Sequence, residues 1–443
     1  MWNSSSGNST TRTDPDVNPP RSHEDSARRA VEAAWRIEWP RLVAGLTRLT
    51  GDIGAAEELA QDAHVAALEQ WPRDGVPPNP GGWLMLTAKH RAVDRIRRDA
   101  TFARKLPLLG HQLLIDDETA TVETGADEIE DDLLRMIFTA CHPVLSPAAR
   151  AALTLRMVGG LTTPEIARAY LVAESTVAQR IVRAKRTIAA KRIPYEVPHG
   201  PELTERLDSV LEVIYLIFNE GYSATSGDRW ARDELCEDAL RLARILAALL
   251  PDQAEAHGLA ALLELQASRL SARTDTGNSL VLLPDQDRTR WNRLYIRRGY
   301  AALARAHSVA RAQGHPPGRY TLQAAIAAAH AMAPTAADTD WRRIAGLYAV
   351  LAQRFPSPIV DLNRAVAVAM VHGPAAGLDL ADAVTATGEL TNYHLLHAVR
   401  GDLLSRLHRY DEARDAFQRA ADLTANTTEQ SLLRTRAAEQ SRD

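Results

Sequence analysis

From Ser175 to Tyr195 the chain has no acidic residue, yet it carries Arg180, Arg183, Lys185, Arg186, Lys191 and Arg192. Cations without balancing carboxylates act on anions, and a helix-borne set of them suits nucleic-acid phosphates and base edges. Val177, Ile181, Ala184 and Ile188 recur at i, i+4, i+7 and i+11, one apolar stripe of a helix. Ser175, Gln179, Arg183 and Arg186 then fall on the opposite side, with Thr176 and Arg180 beside them. The alternative is a basic helix packed on a bundle with its charges merely solvated. A second set of reactive types lies in LLPDQDRTRWN, where Asp285, Gln286, Asp287, Arg288 and Trp291 stand together. Carboxylates with Arg can form an acid–base pair, a metal site or a salt-bridge corner joining helices, and no His accompanies them at ligand spacing. Cys141 and Cys236 are far apart and lack zinc spacing, so buried free thiols are expected and neither a disulfide framework nor a metal site.

The basic helix needs a partner to aim it, and the sequence ahead provides one. Thr163 is the N-cap candidate, Pro164 suits the first helical position, and Ile166, Ala167 and Tyr170 give a short apolar face. Leu171-Val172-Ala173 closes that helix without the Gly often found in such turns, so another backbone geometry is required. Two short helices, a tight turn and a basic second helix form the motif that enters a DNA major groove. Upstream, DDLLRMIFTACHPVLSPAARAALTLRMVGGL should break at Pro143 and Pro147, and Leu153, Leu155, Met157 and Val158 should close a small core.

At 443 residues the chain exceeds one ordinary core, and its net charge of -4 confines any nucleic-acid contact to particular faces. Aromatics at 5% in an Ala-rich chain point to all-helical packing. Residues 1–25 lack the apolar core of a signal peptide and read as a disordered tail. A first helix spans about Ser26 to Leu49, with Trp35, Trp39, Leu42, Val43 and Leu46 available for burial. After Thr50-Gly51-Asp52, the segment AAEELAQDAHVAALEQW puts Leu59, Ala63, Ala66 and Ala67 inward. Glu57, Glu58, Gln61, Asp62 and Glu69 form an acidic outer side, either solvated or receiving a basic partner. PRDGVPPNPGG is a Pro- and Gly-dense loop. In WLMLTAKHRAVDRIRRDA, Met85, Leu86, Val93 and Ile96 are expected inward and Thr87, Arg91, Asp94 and Arg98 outward, with Trp83 and His90 at the edge. Basic and polar groups with an aromatic beside a rigid loop suit phosphates and unstacked bases, although Trp83 is equally readable as a core aromatic.

In this order and separation, AEELAQDAHVAALEQW, the Pro-rich loop, NPGGWLMLTAKHRAVDRIRR and the helix-turn-helix resemble regions 2 and 4 of bacterial sigma factors. The type is the extracytoplasmic-function one of the sigma-70 family, and the likeness runs from about Ser26 to Ile193. The resemblance implies that residues 26–105, as region 2, seat Glu57, Glu58, Gln61 and Asp62 on core RNA polymerase. It further implies that Trp83, Lys89, His90, Arg91 and Asp94 melt and capture the -10 element, His90 standing where relatives often have Asn. Residues 131–193, as region 4, would read the -35 element of promoter DNA with Ser175, Thr176, Gln179, Arg180 and Arg183, and hold phosphates with Lys185 and Arg186. Between them, the acidic stretch 106–130 reads as a flexible tether.

Residues 194–443 exceed what a sigma factor of this type needs. RYDEARDAFQRAADLTAN sets Ala413, Phe417 and Ala420 at tetratricopeptide spacing, with Gly401 on the helix before. Ala376, Leu380 and Ala383 are expected to repeat it, and Ala239, Ala243, Leu246 and Pro251 to echo it. A solenoid results, with a generic Ala-rich bundle as the alternative. The chain thus resembles the subgroup of these factors that carries such an extension and no membrane anti-sigma factor, which implies that the extension governs activity through a protein partner. The expected fold class is all-α: region 2 bundle, linker, region 4, then TPR-like solenoid. No phosphate loop, nucleophile–base pair or ligand constellation occurs, so no enzyme activity, cofactor or metal is expected. No apolar run is long enough for a bilayer, so a cytoplasmic location is expected. The competing function is a helix-turn-helix regulator with a ligand- or protein-sensing C-terminal domain.

Overall fold

A computed structural model describes residues 20–98, 126–170, 172–222, 226–227, 233–274 and 280–440. The chain divides into two compact units, Met1–Val122 and Glu123–Asp443.

The first unit is a bundle of α1 (Pro20–Thr50), α2 (Ile53–Asp74) and α3 (Pro80–Arg98). Trp39, Leu42, Val43 and Leu46 of α1 are buried as expected, and the Trp35 ring lies tilted against Trp39 and His64, with centroids 4.2 Å and 4.0 Å away. Helix α2 begins where the Asp52 carboxylate accepts from the Ala55 N–H at 2.7 Å, after Gly51 turns the chain at a φ of 68°. Its stripe of Leu59, Ala63, Ala66 and Ala67 is buried. Asn79 starts α3 by accepting from the Gly82 N–H at 2.9 Å. The register of α3 differs from the expectation: Leu84, Ala88 and Ala92 face the core, Met85 and Val93 lie at its margin, and Leu86 is 41% exposed. The small Ala88 and Ala92, in line with Leu84, let α3 approach α1 and α2 closely, which outweighs the larger apolar area of Leu86. The tail expected at 1–25 lies outside the described residues up to 19, and 20–25 already belong to α1.

The second unit opens with α4 (Ala126–Ala140), α5 (Pro147–Met157), α6 (Thr163–Tyr170) and α7 (Glu174–Lys191). The tether expected at 106–130 lies outside the described residues up to 125, and 126–130 are the first turn of α4. Ser146 caps α5, and Leu153, Leu155, Met157 and Val158 are buried as anticipated. The cap of α6 is Thr162 rather than Thr163. Its hydroxyl accepts from the Glu165 N–H at 3.3 Å and Glu165 accepts from the Thr162 N–H at 2.7 Å, a reciprocal box that puts Pro164 second in the helix. The Val172 N–H reaches back to the Ala167 carbonyl at 3.1 Å and ends α6; Leu171 itself lies outside the described residues.

Helices α8 (Gly200–Tyr222), α9 (Asp233–Leu249), α10 (Ala254–Ala267), α11 (Arg293–Ala312) and α12 (Arg319–Met332) follow. Helix α10 is apolar nearly all round and lies at their centre. Glu255 accepts from the Tyr320 N–H at 2.7 Å and the Thr321 N–H at 3.2 Å, capping α12 from another helix. Buried Glu264 pairs with Arg244 at 2.8 Å. Six more helices run in sequence, α13 (Trp341–Arg354), α14 (Pro358–His372), α15 (Pro374–Ala386), α16 (His394–Arg406), α17 (Tyr410–Leu423) and α18 (Thr427–Glu439), each packed on the one before. Ala413, Phe417 and Ala420 are buried, and a Cβ at Gly401 would lie 2.8 Å from the Phe417 ring. The earlier repeat is displaced by one residue: Gly377, Ala381 and Val384 are buried while Ala383 is exposed. Gly377 sets that register, because a Cβ there would meet the Ala369 Cβ at 2.5 Å. Ser226-Gly227 pairs in parallel with Ala425-Asn426, so the start of the extension is joined to its end.

Candidate nucleic-acid interface

Helix α7 is held by its expected stripe: Val177, Ile181, Ala184 and Ile188 are all buried. That rotation leaves Ser175, Gln179, Arg183 and Arg186 exposed and Thr176, Arg180 and Lys185 half-buried at the edge of the same face. Glu174 is the only acid of the helix and precedes the face. Arg192 then leaves the helix in the left-handed region at a φ of 50°, stopping the basic row one residue later.

The other side of this helix-turn-helix is bonded to the extension. A helix leaves its last carbonyls without partners, and α4 is completed from α8. Arg206 donates to the Phe138 carbonyl at 3.0 Å, and the Ser209 hydroxyl donates to the Cys141 carbonyl at 2.6 Å. Arg150 donates to Ser209 and, at 3.2 Å, to Glu212. From α9, Arg241 donates to the Gly159 carbonyl just past α5 at 2.6 Å. Tyr195 closes the set on the Asp132 carbonyl at 2.9 Å. Cys141 sits inside this seam, where burial pushes its thiol up to about 11. It is an inert, protonated core group, as the spacing of the two Cys implied.

None of these extension residues was singled out from sequence. A signal existed for one: Arg206 stands in line with Val210, Val213 and Ile217, a cation within an apolar stripe, and such a residue must find a buried acceptor.

In the first unit, Glu58, Gln61 and Asp62 are exposed on α2, but Glu57 is only 8% exposed. Glu57 lies one position from the Ile53-Ala56-Ala60 edge of the stripe and turns inward with it, so the open face is smaller than expected. Arg91 donates to the Asp62 carbonyl at 2.7 Å, which ties α3 to the acidic face of α2. Trp83 is half-buried, edge-on to Trp71 with centroids 5.5 Å apart, so it is part core and part surface. His90 is exposed and Lys89 half-buried; the Asp94 side chain lies outside the described residues.

Among the described residues the Asp285 to Trp291 cluster forms no salt-bridge corner. Asp285 and Asp287 are exposed, and Asp287 accepts from the Thr289 N–H at 2.9 Å and its hydroxyl at 2.7 Å. Arg288 is buried but donates to the His330 and Ala333 carbonyls, both at 2.7 Å. Carbonyls at the end of α12 outcompete carboxylates that can stay in water. Among the described residues no group of three or more His, Cys, Asp or Glu could hold a metal, and no helix is long and apolar enough to cross a membrane.

Residues 38–101 match the family model for Sigma-70 region 2, and residues 135–188 match that for Sigma-70, region 4. A probable ECF RNA polymerase sigma factor, SigI of Mycobacterium tuberculosis, is 29% identical over 195 residues, 42% of this chain and 67% of that protein. The chain belongs to the extracytoplasmic-function sigma-70 family. The ECF RNA polymerase sigma factor SigK of Mycobacterium bovis is 28% identical to this sigma factor over 149 residues, 32% of it and 74% of SigK. The extension is shared as well. An uncharacterized protein of Rhizobium meliloti is 42% identical over 400 residues, 89% of this sigma factor and 92% of its relative. Residues 206–307 match a family of unknown function, DUF6596. That match begins at Arg206, the residue that completes α4.

Proposed function

We propose that this sigma factor directs core RNA polymerase to a restricted set of promoters by reading two separated DNA elements. Helix α7 enters the major groove of the -35 element, with Ser175, Thr176, Gln179, Arg180 and Arg183 on base edges and Lys185 and Arg186 on phosphates. The observation that carries this reading is the open, carboxylate-free side of α7 opposite a stripe that is buried at every position. Helix α3 and its loop take the -10 element, with Trp83, Lys89, His90 and Asp94 toward the opened strand. Arg91 links that face to α2, whose Glu58, Gln61 and Asp62 dock on the polymerase; Glu57 supports the helix from inside. The factor supplies binding and strand separation, not covalent chemistry.

The extension acts as a scaffold for region 4 and so modulates recruitment. It covers the α4–α5 side and leaves the reading side of α7 open, which favours support over simple occlusion of DNA.

Charge reversal tests the first claim. Arg180→Glu with Arg183→Glu removes two contacts worth ~1–3 kcal/mol each and repels phosphate, so promoter-dependent initiation by reconstituted holoenzyme should fall by about 100-fold or more. Helix content and melting should stay unchanged. Initiation at wild-type rates would refute the assignment of α7.

A further inference from the structure

Two stretches that promoter reading does not use, one ending at Tyr222 and one ending at Trp291, meet around Arg269. Its guanidinium carbon lies 5.8 Å from the Tyr222 ring centre and 5.9 Å from that of Trp291. Arg273 lies over the same Tyr222 ring at 3.5 Å and donates to the Tyr222 carbonyl. Arg288 lies 5.0 Å from the Trp291 ring centre. Three guanidinium groups are therefore gathered on two aromatic faces.

Helix capping accounts for part of this. The Nη groups of Arg288 complete α12 through the His330 and Ala333 carbonyls and the Thr339 hydroxyl at 3.0 Å. It does not account for Arg269, which is half-buried and among the described residues pairs with no carboxylate. Nor does it account for the polar atoms left over. The Arg288 Nε and the Trp291 Nε1 are buried without a partner, on side chains more than nine-tenths inaccessible, and each can only donate. The His330 Nδ1 is buried without a partner as well. Burial, and then the charges of Arg269 and Arg288, push the His330 imidazole down to about 4. The charges of Asp233 and Asp338 reach Arg273 and Arg288 respectively. Buried donors beside Arg269, which has no carboxylate partner among the described residues, call for acceptors that carry negative charge.

We propose that Arg269, with the buried donors of Arg288 and Trp291 and the Tyr222 ring beside it, forms a binding site for a small oxyanion, the carboxylate or phosphate group of a metabolite-sized ligand. The Arg269 guanidinium can hold such a group in two-pronged fashion, and its half-buried position leaves it accessible. The site lies within the span of the family of unknown function and gives that span a chemical role. It also lies at one end of α8. Arg206 and Ser209, about 24 Å and 20 Å away along that helix by its rise per residue, hold region 4. The site stands independently of which promoter elements are read.

The full-length chain is titrated with inorganic phosphate and with citrate at constant ionic strength, using chloride as reference and thermal melting and calorimetry as readouts. One or both probes should bind saturably. Arg269→Gln should weaken that binding at least tenfold, and Arg311→Gln, on an exposed face of α11, should leave it unchanged. Phosphate alone, citrate alone, or both assign the class of group taken. If Arg269→Gln does not fold, Arg269→Lys keeps the charge and loses the fork, and a severalfold weaker affinity is expected. Absence of saturable binding, or an unchanged response in the Arg269 variant, overturns the site; phosphate stabilises proteins generally, and only the part lost with Arg269 counts.

Discussion

Helices α3 and α7 are assigned parallel tasks, yet they are held in different ways. Helix α3 and its neighbour α2 are started by side chains three residues away, Asn79 for α3 and Asp52 for α2. The helix-turn-helix that carries α7 has the ends of α4 and α5 completed by Arg206, Ser209 and Arg241, which lie 68 to 82 residues further on. The first bundle secures its helix ends locally, whereas the second borrows from the extension. A DNA reader built in the second way cannot be separated from the extension without leaving carbonyls unsatisfied. On the proposed function, control of region 4 would need no occluding lid, since α8 is bonded to the bundle beneath α7.

The same pair differs in how apolar size relates to register, and the largest expected effect follows from that. Leu84→Ala in α3 should cost about 2–5 kcal/mol, because Leu84 is 1% exposed and its loss leaves a cavity. Leu86→Ala, two residues on, should change stability by less than about 0.5 kcal/mol. In α7, Ile181→Ala should fall with the first of these. Chemical denaturation of each variant checks the ranking; equal costs at Leu84 and Leu86 would return α3 to the register its larger side chains suggest.

That contrast also explains what could be read from the amino acids. The stripe of α7 was legible at every position because Val177, Ile181 and Ile188 are bulky and their spacing leaves one solution. In α3 and α15 the buried positions include Ala88, Ala92, Gly377 and Ala381, and a hydrophobic pattern built on large residues chose Leu86 and the Ala376-Leu380-Ala383 row instead. Close approach of backbones decides such helices, and Gly377 was the available sign of it. The seam between α8 and α4 was hidden for another reason: partners 68 residues apart leave no local pattern, only an Arg where an apolar residue was due. Candidate base-reading residues on α7 were legible as a face, while the acidic face of α2 lost Glu57 because its angle falls at the margin of the stripe.

The seam gives the next effect in size. Arg206→Ala leaves the Phe138 carbonyl without its donor inside a buried junction and should cost about 1–3 kcal/mol in the second unit. The first unit has no part in this bond, so its melting should not move. Differential scanning calorimetry resolves the two if they unfold separately, and limited proteolysis at α4 gives a second reading. Promoter-dependent initiation should drop along with region 4 stability, and Arg206→Lys should recover part of both. A variant that loses initiation at unchanged stability would mean that the seam transmits something other than support.

The last effects concern the glycines that separate packed from open helix faces, and they differ in sign. Gly401→Ala should cost ~1–3 kcal/mol, since its Cβ would lie 2.8 Å from the Phe417 ring and α16 would have to move off α17. Gly346 in α13 has nothing within 4 Å of the same position. There the methyl group meets only solvent while the unfolded chain loses conformational freedom, so Gly346→Ala should stabilise the protein by ~0.4–1 kcal/mol. The sign, more than the size, is the measurement. A destabilising Gly346→Ala would mean that α13 is covered in solution, by a partner or by another copy of the chain, on a side that is open in the isolated molecule.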